Sequence, residues 1–288
     1  MTDNMNIQWY PGHMTKTRRQ IEADLKLVDA VCEIVDARIP VSSRNPDIDA
    51  ICGDKPRMIV LNRMDLADPA ATKKWAEYFR RKGMAVIATD CKSKKGISAF
   101  TPAARLACAE KLERDAKRGM NRPLRVMVVG IPNVGKSTLI NQISGRKSAK
   151  AENRPGVTRG KQWVTVDSGL QLLDTPGILW PKFEDPEVGM MLAYTGAVKE
   201  GVIDHEELAY RLMELLPKFY PQTLLERYKV EAPEGTPGWQ LLEMAARKRG
   251  YLVSGGEVNT ERMAKVLLDE FRSGKLGNFT LEMPEDMV

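Results

Sequence analysis

Short, nearly continuous apolar runs alternate along the first part of the chain with segments whose apolar residues recur every three or four positions. Runs of the first kind suit strands buried on both faces, and the longer period suits helices laid against them. Strands are predicted at 30–35, 57–61, 84–88 and 125–129. Each ends in polar or turn-forming residues: Asp36-Ala-Arg-Ile-Pro40, Asn62-Arg-Met-Asp65, Thr89-Asp-Cys-Lys92 and Gly130-Ile-Pro-Asn133.

Between the strands, Trp75 and Phe79 share one face of a helix predicted at 69–81, and a single helix is predicted from Ile97 to about Arg118, stopped by Gly119. Ahead of them, residues 1–10 form an irregular arm. From Met14, Ile21, Leu25 and Val28 fall at helical spacing beside Lys16, Arg18, Arg19 and Lys26, giving an amphipathic helix with a basic outer side. Residues 42–46 are polar and turn-rich, and a helix is expected at 137–143. Residues 162–166 and 170–173 predict a hairpin around Asp167-Ser-Gly169.

The alternation predicts an α/β domain with a mostly parallel sheet and helices on both faces. Beyond Pro186 the helical period dominates, at 206–216, 237–249 and 261–272, the last with Met263, Val266, Leu267 and Phe271 on one side. The expected division is 1–183 for the α/β domain and 184–288 for a small all-α domain.

At 288 residues, with 43% hydrophobic and 28% charged positions, the chain has the composition of an ordinary globular protein. A net charge of +6 permits nucleic acid as a partner. Cys32, Cys52, Cys91 and Cys108 form no C-x-x-C pair and only His13 and His205 accompany them, so a zinc site is not expected. No apolar run approaches the roughly 18 residues that span a bilayer, and the first residues match neither a secretory nor a transit signal. A cytoplasmic location with reduced thiols is the expectation.

The candidate chemistry centres on Gly130-Ile-Pro-Asn-Val-Gly-Lys-Ser-Thr138, a phosphate-loop pattern between a predicted strand and a predicted helix. Gly130 and Gly135 let backbone N–H groups close around phosphates, Lys136 reaches the β and γ phosphates, and Ser137 ligates Mg²⁺. Asn133, Val134 and Thr138 complete the loop's ligand-facing residues. Asp174-Thr-Pro-Gly177 adds an Asp suited to hold Mg²⁺ through water and a Gly177 N–H for the γ-phosphate. Thr158, between them, is the candidate switch threonine for Mg²⁺ and γ-phosphate.

Guanine recognition needs a carboxylate that accepts from the ring N1–H and the exocyclic amine, which adenine cannot offer. The one Asn-x-x-Asp in the chain is Asn62-Arg-Met-Asp65, so the base reader, Asn62, Arg63 and Asp65, precedes the phosphate loop. Thr89 to Lys92, with Asp90 and Cys91, would supply a backbone contact to the base. Asp65 argues against an ATPase.

This order of elements resembles the circularly permuted GTPases, specifically the YlqF/RbgA family of ribosome biogenesis GTPases. Gln8-Trp-Tyr-Pro-Gly-His-Met14, Asp36-Ala-Arg-Ile-Pro40, the nucleotide motifs, Pro155-Gly-Val-Thr158 and Ser273-Gly-Lys-Leu-Gly277 carry the likeness over nearly the whole chain. The resemblance implies GTP/GDP and Mg²⁺ as ligands and GTP-dependent maturation of the large ribosomal subunit, with hydrolysis stimulated by that particle. It further implies rRNA contacts, ribosomal proteins as neighbours, no membrane, and a monomer away from the ribosome. The six basic residues at 146–161, with Glu152 the lone acid, would meet rRNA phosphates.

Two positions depart from the family: Arg63 stands for the usual Lys, and Cys91 for the usual Ser. Ile178 follows Gly177 where many GTPases carry a water-orienting Gln, and the resemblance points to His13 for that catalytic role. It also points to Asn133 as a K⁺ ligand. The alternative is a nucleotide-gated scaffold that hydrolyses little GTP and binds a protein through the helical domain.

Overall fold

Six strands form one sheet: β1 (Ala30–Asp36), β2 (Arg57–Asn62), β3 (Ala85–Thr89), β4 (Leu124–Val129), β5 (Gln162–Asp167) and β6 (Leu170–Asp174). Their spatial order is β3-β2-β1-β4-β6-β5. All neighbours pair parallel except β5 with β6, the expected hairpin. The computed structural model describes residues 14–145, 162–175, 185–198 and 204–287.

Every residue of β1 is buried, as a central strand covered on both faces requires. On one face α1 (Met14–Leu25) and α2 (Asp47–Cys52) bring Ile21, Leu25, Ile48 and Cys52 against Val31, Met127, Val129 and Leu173. Further along that face α3 (Pro69–Arg81) sets Trp75, Ala76 and Phe79 on Val35, Ile59, Leu61 and Val86. Asp68 caps α3 by accepting from the Ala70 and Ala71 N–H groups, and Pro69 opens it, so its bounds match those predicted. The other face is covered by α4 (Phe100–Ala107) and α6 (Lys136–Ser144), which bury Phe100, Ala104, Leu139 and Ile140.

One local expectation needs correction. The single helix from Ile97 is instead a 3₁₀ turn at Ile97–Ala99, then α4, then a non-helical Cys108, then α5 (Ala109–Lys117). The break lies where buried Cys108 ends the sheet-facing segment, since α5 buries none of its residues. The stretch at 42–46 is turn-rich as expected and leads directly into α2, a six-residue helix whose Ile48 and Cys52 fill the sheet face before Gly53.

The four cysteines are buried and reduced, and burial raises each thiol above its ordinary value. None has the thiolate character of a reactive cysteine.

Residues 185–281 form a separate compact unit. Its helices are α7 (Pro186–Tyr194), α8 (His205–Phe219), α9 (Thr223–Tyr228), α10 (Gly238–Lys248) and α11 (Thr260–Ser273). Leu208, Leu212, Leu216, Leu241, Leu242, Met263, Leu267 and Phe271 supply its core from α8, α10 and α11. Residues 282–287 group with the sheet unit instead. No described helix is long and apolar enough to cross a membrane.

Candidate nucleotide site

Parallel pairing sets Asp36 opposite Asn62, Asn62 opposite Thr89, and Val128 opposite Asp174. Five strand ends therefore open toward the same edge of the sheet, the edge where α/β sheets collect ligands.

β4 delivers the phosphate loop there, and its two glycines are required for different reasons. A Cβ on Gly130 would lie 2.7 Å from both the Cγ2 and the carbonyl oxygen of Ile34, so β1 leaves room only for hydrogen. Gly135 caps α6 with φ +103°, and a Cβ there would collide with Asn62 Nδ2. Ile131 and Val134 are buried and anchor the loop between them. Asn133 adopts the left-handed conformation at φ 60°, which Asn tolerates better than most residues. Ser137 and Thr138 sit half-buried in the first turn of α6, where unpaired N–H groups and the helix dipole favour an anion.

Behind the loop, Lys136 Nζ lies 3.4 Å from Asp174 Oδ1, with both side chains almost fully buried. Burial pushes Lys136 down and Asp174 up, each toward its neutral form, while their mutual attraction opposes both shifts. Asp174 Oδ1 is buried and lacks a well-formed hydrogen bond. Next to it, Thr175 Oγ1 donates to Val128 O at 2.9 Å and fixes the exit of β6.

Asn62 joins the base-reading segment to this loop. Its Nδ2 donates to Val134 O at 2.7 Å, and its Oδ1 accepts from Thr89 Oγ1 at 3.1 Å and from Cys91 N at 3.3 Å. Arg63, at φ 60°, donates from Nη2 to Asn133 O at 2.5 Å. Asp65 is exposed, and partial burial with the nearby Asp90 raises its carboxyl. The Asp90 carboxylate turns into its own loop, accepting from the N–H groups of Lys92 at 2.8 Å and Ser93 at 3.2 Å. Cys91 is buried with its thiol 3.7 Å from Thr89 Oγ1, so it meets the site through its backbone.

The structure thus brings together Asn62, Arg63, Asp65, Asp90, Cys91, Asn133 to Thr138 and Asp174. His13, Thr158 and Gly177 lie outside the described residues.

Three charged residues beside the site were given no role in the site by the sequence reading. Asp36 accepts from Arg38 through N, Nε and Nη2 at 2.8–3.0 Å, and its Oδ2 lies 3.5 Å from Arg63 Nη1. Burial alone would raise Asp36, but the two guanidinium groups and these hydrogen bonds hold it below the ordinary carboxylate value. The third is Glu282, whose carboxylate accepts from the N–H groups of Val41 and Ser42. Asp36 and Arg38 carry a signal, since charged residues directly after an apolar strand need a buried partner. Glu282 carries none.

Comparison with known proteins follows this geometry. Residues 125–216 match the family described as 50S ribosome-binding GTPase. The chain is similar to the ribosome biogenesis GTPase A of Priestia megaterium, 45% identical over 285 residues covering 98% of each chain. Among solved structures, the GDP-bound structure of TM YlqF shares 30% identity with a TM-score of 0.68, covering 93% of this chain and 100% of that one. The GNP-bound YlqF from T. maritima gives 29% and 0.63, over 94% and 99%.

Proposed function

Because the chain belongs to the ribosome biogenesis GTPase A family, we propose that it binds and hydrolyses GTP as an assembly factor for the large ribosomal subunit. The observation that best supports this reading is the double bridge from the Asn-x-x-Asp segment to the phosphate loop, Asn62 to Val134 O and Arg63 to Asn133 O. It joins the segment that carries Asp65 to the phosphate loop at one sheet edge, which supports reading the two as halves of one guanine-nucleotide site. The fold is that of a circularly permuted GTPase, the base reader coming first in the chain.

In this reading Asp65 accepts from the base, while Asp90 and Cys91 shape the loop that supports it. Lys136 neutralises the β and γ phosphates, and Gly177 N–H meets the γ-phosphate. The residues suited to Mg²⁺ are Ser137, Thr158 and Asp174. The buried, hydrogen-bond-poor Oδ1 of Asp174 fits this set, because it offers a carboxylate oxygen that the protein itself leaves underused. When bound, Mg²⁺ would offset the negative charge that develops on the phosphates. Before the ligand arrives, Lys136 supplies the balancing charge to Asp174.

His13 is assigned to water positioning and Asn133 to a K⁺ ligand. The basic residues of 146–161 are assigned to rRNA, with ribosomal proteins as further neighbours. A cytoplasmic monomer off the particle completes the reading.

A GTPase assay with and without large ribosomal subunits tests it. Slow intrinsic turnover that rises with the subunits is the expected result, and His13→Ala should abolish the rise while leaving GTP binding intact. Turnover that the subunits do not change would refute the particle's role. Equal rates in sodium and potassium would refute the cation assignment.

A further inference from the structure

The last residues of the chain return to the sheet unit and grip the loop that follows β1. Glu282 accepts from Val41 N at 2.6 Å and from Ser42 N at 3.0 Å, and its own carbonyl accepts from Trp75 Nε1 at 2.8 Å. Lys74 pairs with Glu285 one turn further on, at 2.7 Å. Two adjacent backbone N–H groups thus share one carboxyl group as their acceptor.

The gripped loop is cross-linked by its own hydrogen bonds. Ser43 Oγ donates to Ile39 O at 2.6 Å and accepts from Asp36 N at 2.9 Å, while Ile39 N donates to Asp36 O at 3.0 Å. The clamp on Val41 and Ser42 is therefore a clamp on Asp36. From Asp36 the contacts run to Arg63 Nη1 and from Arg63 Nη2 to the phosphate-loop carbonyl of Asn133. Four consecutive contacts join the C-terminal segment to the guanine site, all within one compact unit.

We propose that Glu282 is a positioning residue for guanine-nucleotide binding: it fixes the loop at 37–44 so that Asp36 holds Arg63 against the phosphate loop. The inference rests on the assignment of residues 62–65 as base reader. An arginine at position 63 fits the scheme, because one guanidinium reaches both Asp36 and Asn133 O, whereas an ammonium offers a single point of contact. Leu281, the residue before Glu282, belongs to the helical unit. A partner held by that unit thus has a one-residue covalent link to the clamp.

The test uses the full chain and a double-mutant cycle on the release rate of fluorescent GDP, for wild type, Glu282→Ala, Arg63→Ala and the double variant. Contiguous contacts of this kind carry coupling of about 3- to 30-fold, so Glu282→Ala should speed release by that factor. In the Arg63→Ala background it should add nothing. Glu282→Gln, which keeps an acceptor oxygen, should fall between wild type and Glu282→Ala. Equal effects of Glu282→Ala in both backgrounds, or a lowered melting temperature with wild-type release, would overturn the proposal and leave a plain structural staple. Failure of the wild type to prefer guanine would refute the site assignment, and this inference with it.

Discussion

Replacing Asn62 with Ala separates two roles that sequence motifs merge. Asn62 is buried and makes three hydrogen bonds, to Val134 O, Thr89 Oγ1 and Cys91 N. At a net value of about 1 kcal/mol each, their loss costs about 3 kcal/mol, with a range of about 2–4 kcal/mol set by whether water enters to satisfy the orphaned partners. For a chain of this size each kcal/mol moves the melting temperature by about 2–4 °C, so Asn62→Ala without nucleotide should melt about 5–15 °C lower. Asp65 lies three positions on and is exposed. Asp65→Ala should change stability by no more than about 0.5 kcal/mol while destroying guanine affinity.

Differential scanning calorimetry of the nucleotide-free proteins, followed by GDP titration, distinguishes the two. Both variants should bind GDP weakly, and only Asn62→Ala should melt early. Nucleotide-free Asn62→Ala melting within about 1 °C of wild type would refute the claim that this side chain staples β2, β3 and the phosphate loop together.

Three further outcomes follow from the same geometry. Asp65→Asn should exchange guanine preference for xanthine preference, because an amide donates where the carboxylate accepted; competition between GDP and its xanthine analogue should shift by about 100-fold or more. Wild type with GTP should melt higher in Mg²⁺ than in chelator, and Asp174→Asn should erase the difference; a retained difference would remove Asp174 from the metal set. Burial holds Glu282 up to about 7, against hydrogen bonds from Ser42 and Val41 that lower it and Asp36 that raises it further. The folded chain then binds this proton more tightly than the unfolded one, so its contribution is full below about pH 4.5 and is lost as pH rises through about 7. Melting curves across that window should show the slope in wild type and a smaller slope in Glu282→Gln, and identical slopes would refute it.

Sheet and site were legible to different depths. All six strands lie within one residue of their predicted bounds: the five parallel strands announce themselves as short apolar runs, and the antiparallel β5 is marked by the Asp167-Ser-Gly169 turn after it. Helix α2 was hidden by its six residues, too few for a period to show, although Ile48 and Cys52 already stood four apart. The break at Cys108 was hidden for the opposite reason, since apolar spacing continues through it while the fold asks the two halves to do different things. Asn62 and Asp65 were found because they form a local motif. Glu282 was beyond reach: its partners Val41 and Ser42 lie 241 and 240 positions away, and a Glu near the chain end gives no hint of them.

The permuted order changes what must hold the site together. Base reader and phosphate loop are separated by β1 in the sheet, and the bonds that join them span 72 and 70 positions of sequence. Neither turn nor helix links the two halves directly, so side chains do so: Asn62 and Arg63 reach toward the loop, and Gly135 stays bare to admit Asn62 Nδ2. The Asn62–Asp65 segment and the phosphate loop are therefore held together by the folded sheet itself. The same permutation sends the chain out of β6 from Asp174, the proposed metal ligand, to the helical unit that begins at Asp185. That unit's last residue, Leu281, then precedes the Glu282 clamp. The helical unit is thus tied by covalent bonds to both ends of the nucleotide site, at the phosphate side through Asp174 and at the base side through Glu282.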